Sequence, residues 1–176
     1  MNSTMSKPML FALLIGVGLS SECKAQFSVK AQLGVSYIEH VSTGVTLKWG
    51  KNHSVSFLYG SNFFIHTHDF SNLFLQYDLS IPKWKMGKLT PRFGVKGGDS
   101  YYTDEYYRWK VVSVIPFLGA SLPIGNKLDL VFEAGAAFSF EQTVERISYG
   151  EIGFYRELLP ELKAAMVYTL FSKGKR

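Results

Sequence analysis

Residues 128–141 alternate with a period of two. Leu128, Leu130, Phe132, Ala134, Ala136, Phe138 and Phe140 fall on one side of an extended chain, and Asp129, Val131, Glu133, Gly135, Ala137, Ser139 and Glu141 on the other. Successive side chains of a strand point to opposite faces, so this segment reads as a strand with one apolar face and one mixed face carrying charge. It is longer than the usual strand of a water-soluble protein and suits a tilted crossing of a bilayer. The same alternation recurs down the chain, which points to a barrel of inverted polarity, apolar outside and charged within.

A hydrophobic fraction of 47% with 19% charged residues excludes a disordered chain, and 176 residues make one domain. The aromatic content of 15% suits either interfacial girdles or a large soluble core. Net charge is +5, but the lysines sit singly in strands and turns or at the extreme C-terminus. Without a compact basic run, nucleic acid is not an expected partner.

The N-terminus carries a leader pattern. Lys7 is a basic n-region, residues 9–19 an apolar h-region, and Cys23-Lys24-Ala25 offers small residues where a signal peptidase reads. Residues 1–25 are therefore expected to be a signal peptide cleaved before Gln26. The apolar run is shorter than the roughly 20 residues of a spanning helix, and no other run approaches that length. Cys23, the only cysteine, leaves with the leader, so no disulfide or thiol chemistry is expected. Glu22 puts a charge where a lipoprotein signal wants a small residue, which argues against lipidation of Cys23.

Eight strands are expected, at about 27–39, 44–50, 54–64, 72–81, 89–98, 110–122, 128–141 and 161–171. Aligned apolar sets mark them, for instance Val55, Phe57, Tyr59 and Phe63, or Leu162, Ala164, Met166, Tyr168 and Leu170. Short turns at 50–53, 82–88 and 125–127 alternate with longer links at 65–71, 99–109 and 143–160; a short first link lies near 40–43. An even strand count returns both termini to the short-turn end, and a closed sheet leaves no unpaired edge for lipid to punish. Eight strands leave an interior just wide enough for side chains to fill.

The opposite face should then hold small residues and compensated charges. The inward set includes Gly34, Gly50, Gly60, Gly94, Gly98, Gly119 and Gly135. It sets Lys30, Lys48, Arg92, Lys96 and Lys163 against Asp78, Asp129, Glu133, Glu141 and Glu161. Buried charges survive only when paired, so crossed salt bridges are expected inside. In the sixth strand one register would face Val111, Ser113, Ile115, Phe117, Gly119 and Ser121 inward, which places bulky Ile115 and Phe117 in the lumen; alternation alone leaves that register open. Tyr37, Phe63, Phe64, Phe70, Tyr101, Tyr102, Tyr107 and Trp109 gather toward the loop end, and Trp49, Trp84 and Phe171 toward the turn end, as girdles would.

With this architecture, residues 26–171 resemble the small eight-stranded outer-membrane barrels represented by the OmpA and OmpX transmembrane domains. The resemblance implies an all-β, antiparallel, up-and-down transmembrane barrel in the cell outer membrane. Residues 162–171 are similar to the C-terminal strand read by the barrel-assembly machinery, which the resemblance implies as a partner during biogenesis. That signal ordinarily ends on an aromatic residue, whereas here a basic tail, 172–176, follows Phe171. Barrels of this kind serve as anchors, adhesins, secretion accessories or lipid-modifying enzymes, so the resemblance implies location more than activity.

Five segments invite chemical readings. His66-Thr67-His68-Asp69 puts two imidazoles on one face beside a carboxylate, but lacks a third and fourth metal ligand. His53-Ser54 evokes an acyl-transfer nucleophile, yet neighbours in a strand point apart, and the turn lies at the end away from the outer leaflet. Residues 94–100 have a phosphate-loop look without Walker spacing or a following helix. Residues 99–109 interleave tyrosines with acids, and 143–159 add further aromatics; rigid amphipathic rings suit a recognition surface.

The expectation is thus a monomeric, filled, non-enzymatic, porin-like envelope barrel without cofactor or metal, surrounded by outer-membrane lipid. It would act through loop residues Tyr101, Tyr102, Tyr106, Tyr107, Trp109, Tyr149, Phe154 and Tyr155 on a protein or surface ligand. The alternatives are a soluble lipocalin-like barrel with an apolar interior, or an enzyme acting on lipid A acyl chains.

Overall fold

The computed structural model describes residues 27–61, 69–84, 86–103, 107–146, 152–154 and 158–173. Among these residues there are nine strands: β1 (Phe27–Ser36), β2 (His40–Trp49), β3 (His53–Ser61), β4 (Asp69–Ser80), β5 (Thr90–Thr103), β6 (Tyr107–Pro123), β7 (Leu128–Arg146), β8 (Ile152–Phe154) and β9 (Leu158–Lys173). Each long strand pairs antiparallel with its neighbours in the order β6-β5-β4-β3-β2-β1-β9-β7, and β6 pairs β7 to close the ring. The short β8 pairs only β7, through residues 143–145. The barrel therefore has eight walls, as the alternation requires.

Several boundaries differ from expectation. The first turn lies at 37–39, not 40–43, because Ser36 pairs His40 and residues 40–43 already belong to β2. The 99–109 link is mostly hairpin, since β5 and β6 stay paired out to Thr103 and Arg108. Likewise β7 runs to Arg146. Turn chemistry sets the opposite end: Gly50 and Gly87 adopt φ of 63°, the left-handed region that glycine enters without steric cost. Gly50 is thus a turn residue and not, as the alternation suggested, part of the inward set.

The two faces of the wall have opposite chemistry. Leu33, Phe57, Leu73, Phe132 and Leu162 are exposed on the outer surface, and Leu118 is 70% exposed. Ser56, Gln76, Asp78, Lys96, Glu133, Glu161 and Lys163 are buried in the interior. An apolar surface this continuous is not sustained in water. The charged interior is the reverse of what a soluble lipocalin-like barrel needs.

Strand β6 keeps the inward register: Ser113, Ile115 and Phe117 are buried. Ile115 joins Leu58, Phe74 and Ala137 in an apolar layer against which Ile38 rests. Glycine makes room for the rings. A Cβ at Gly98 would collide with the Leu73 carbonyl oxygen and approach Phe74 to 2.8 Å, and one at Gly94 would come within 2.7 Å of the Phe117 ring. The glycines at 94 and 98 are therefore structural, each lying under an aromatic ring.

Candidate functional site

Two groups of side chains stand out, a charged lumen and an aromatic hairpin at the loop end. Toward the turns, Lys30 Nζ lies 2.7 Å from Asp129. Arg92 meets Asp78 at 2.7 Å and Glu133 at 3.3 Å. Ser54 Oγ donates to Asp78 at 2.8 Å, and Gln76 Nε2 donates to Glu133 at 2.9 Å. Lys48, Gln32 and Thr46 border a polar cavity of about 60 Å³ among these groups, enough for a few waters.

Closer to the loops, Lys96 bridges Glu39 and Glu161, the latter at 2.7 Å, and Lys163 meets Glu39 at 2.6 Å. All four side chains are fully buried. Glu39 belongs to the 37–39 turn, which folds into the barrel mouth. Glu161 accepts from the Ile38 amide at 3.0 Å, and Ser36 Oγ accepts from the Glu39 amide at 2.8 Å. The bend needs φ of 54° at His40, whose ring meets Phe70 edge-on at 4.5 Å.

The expected inward charges are confirmed for Lys30, Arg92, Lys96, Lys163, Asp78, Asp129, Glu133 and Glu161. Glu141 follows a register shift in β7 and pairs Val112; its side chain lies outside the described residues. Glu39, placed by alternation at a strand end, is the carboxylate that was missed. The signal was the turn itself, since Tyr37-Ile38-Glu39 contains none of the Gly, Pro, Asn or Asp that solvent-exposed tight turns favour.

At the loop end, the β5–β6 hairpin aligns Tyr102 with Trp109 and Tyr101 with Lys110. The Tyr102 and Trp109 rings stack at 4.8 Å and 20°. Tyr107 lies 6.2 Å from Trp109, and Lys110 Nζ sits 5.7 Å above the Tyr101 ring. Four of the expected recognition residues thus lie on one hairpin, Tyr102, Tyr107 and Trp109 together on one face and Tyr101 on the other. Tyr106, Tyr149 and Tyr155 lie outside the described residues, as does the side chain of Phe154.

The remaining chemical readings separate in space. His53 Nδ1 is 2.8 Å from the Tyr77 hydroxyl while Ser54 turns inward to Asp78, so the two do not form a dyad. His66, Thr67 and His68 lie outside the described residues, as do the leader with Cys23, Gln26, Phe63, Phe64 and residues 174–176 of the tail. Among the described residues no cluster of three His, Cys, Asp or Glu side chains is placed to hold a metal.

No family model matches the chain, and no curated protein sequence matches it. Among solved structures, a major outer membrane protein from Thermus thermophilus superposes with a TM-score of 0.50 at 15% identity, over 83% of this chain and 99% of that one. The fold is that of a small outer-membrane β-barrel. Acinetobacter baumannii CarO (TM-score 0.44, 11% identity, 82% of this chain and 97% of that one) is also similar. So is Neisserial surface protein A (TM-score 0.42, 12% identity, 83% and 96%). At these identities the likeness concerns the fold.

Proposed function

We propose that the chain is an exported, non-enzymatic outer-membrane protein, closed to solutes by its own side chains, that binds a partner through the β5–β6 hairpin. One observation carries the membrane reading: large apolar side chains cover the outside of a closed barrel whose interior holds paired ions. Lipid is the solvent in which that arrangement is stable, because each of the eight long strands finds two neighbours and the barrel wall they form is closed. The partner reading rests on the stacked Tyr102–Trp109 pair with Tyr107 beside it, aromatic area held rigid before contact.

Cell fractionation with heat-modifiable gel mobility tests the location. The protein should be in the outer-membrane fraction and migrate faster unheated; recovery as a soluble periplasmic protein refutes the reading. A photoactivatable residue at Tyr107, on the face of the stack, tests the partner role in intact cells. A discrete cross-linked species should form there and not from the same probe at Lys83; identical products from both positions would count against it. The lipid A enzyme reading requires Ser, His and an acid together on an outward face, and His53 and Ser54 supply the opposite geometry.

A further inference from the structure

The turn end of the barrel is basic on every side. Lys51 projects from the β2–β3 turn, Lys83 and Lys88 from the β4–β5 connection, Lys127 from the β6–β7 turn and Lys173 from the end of β9, and all five are exposed. Among the described residues of this end the only carboxylate not fully buried is Asp129, and Lys30 neutralises it from within. The ammoniums are therefore uncompensated, and they encircle the rim instead of forming a patch on one side.

The same turns carry exposed apolar groups. Trp84 lies beside Lys83, Met86 precedes Gly87-Lys88, and Ile124 lies three residues before Lys127. Phe27 and Phe171 are exposed at the foot of the wall just above them. Ammoniums alternating with aromatic and aliphatic side chains around a full circumference match the boundary of a bilayer. There the rings sit at the headgroup level and lysine stems cross it to reach phosphate. An acidic protein would dock against one arc of the rim and would have no use for its far side.

We infer that this rim binds the phosphodiester headgroups of anionic phospholipid in the leaflet facing the turns, which fixes the depth and direction of the barrel. The inference rests on the outer-membrane reading, with the turns in the periplasm, and adds the lipid class that the chain selects. At the opposite end the sequence sets Asp99, Asp104 and Glu105 among Arg108 and Lys110, so the bases there are offset by acids and the attraction is directional.

The test uses the full mature chain inserted into vesicles of phosphatidylcholine alone or mixed equally with phosphatidylglycerol, with gel mobility reporting insertion. Spin-labelled phosphatidylglycerol and phosphatidylcholine then report which lipid is immobilised at the barrel. The intact chain should favour phosphatidylglycerol by roughly two- to fivefold, as a few lysines near an anionic surface would produce. That preference should fall toward one in about 0.5 M salt and in the variant with Lys51, Lys83, Lys88, Lys127 and Lys173 all changed to Gln. Equal immobilisation of the two lipids by an inserted chain overturns the inference, leaves the barrel reading standing and returns the lysines to an acidic protein. A preference insensitive to both salt and substitution also overturns it. A chain that inserts into neither vesicle overturns both readings.

Discussion

Replacing Glu39 by Gln should be among the most damaging single changes available to this barrel. The Glu39 carboxylate accepts from Lys96 and from Lys163, the latter at 2.6 Å, and all three side chains are buried. Lys96 would keep Glu161 at 2.7 Å. Lys163 would have no carboxylate within salt-bridge distance among the described residues. An amide oxygen can still accept one hydrogen bond but carries no charge, so one ammonium is left buried and uncompensated. Breaking a buried ion pair in this way costs about 3–5 kcal/mol, roughly a hundredfold or more in the folding equilibrium. Urea titration of the vesicle-inserted barrel, followed by loss of the fast-migrating unheated form, measures it. The double variant E39Q/K163M removes the stranded charge with its partner and should recover at least half of the loss. A loss below about 0.5 kcal/mol for E39Q, the scale of an exposed pair, would refute the view that the 37–39 turn is held in the mouth by a desolvated ion cluster.

Gly98→Val should destabilise the fold by about 3 kcal/mol or more, beyond ordinary overpacking, because the new side chain meets the Leu73 carbonyl and the Phe74 ring; the yield of heat-modifiable barrel checks it. Leu118→Arg places a charge on the outer wall and should cost about 2–4 kcal/mol if that position lies near the bilayer midplane, read by the same urea titration in vesicles; a neutral result would indicate that this wall faces water. By contrast Lys30→Met should change stability by less than about 1 kcal/mol, since the Lys30–Asp129 pair is partly open to solvent at 17% and 25% exposure. Trp109→Ala should remove an aromatic stack worth about 0.5–1.5 kcal/mol, visible as loss of near-ultraviolet circular dichroism, while leaving barrel closure intact.

Much of the architecture was legible because a strand writes its environment with a period of two. Phe132 and Leu162 declared the outer wall, and Glu133 and Lys163 the inner one, without knowledge of any neighbour. For the bulky pair Ile115 and Phe117 alternation left the register of the sixth strand open, and the space available inside the ring decided it. Phe117 lies over Gly94 on the adjacent strand, and Ile115 completes a layer with Leu58, Phe74 and Ala137. Boundaries were less legible. The polar, aromatic residues 99–103 look like a loop, yet β4 and β6 both pair with them and continue the ladder. At the candidate recognition site, the composition of 99–109 pointed to aromatic contact area, but the Tyr102–Trp109 stack depends on which residues the hairpin register sets opposite each other.

The chain by itself determined the number of walls, the face that most strand residues present and the presence of opposite charges inside, because these depend only on local alternation and on turns that end each strand. Which cation meets which anion was decided by closure. Lys163 and Glu39 are 124 residues apart; no pattern between them encodes their contact. They meet because β9 pairs β1 and the following turn bends inward, with register shifts at Val29/Lys30 in one seam and Val112/Ser113 in another adjusting the levels. Side-chain direction is a property of a single strand, whereas distance across the lumen is a property of the whole ring.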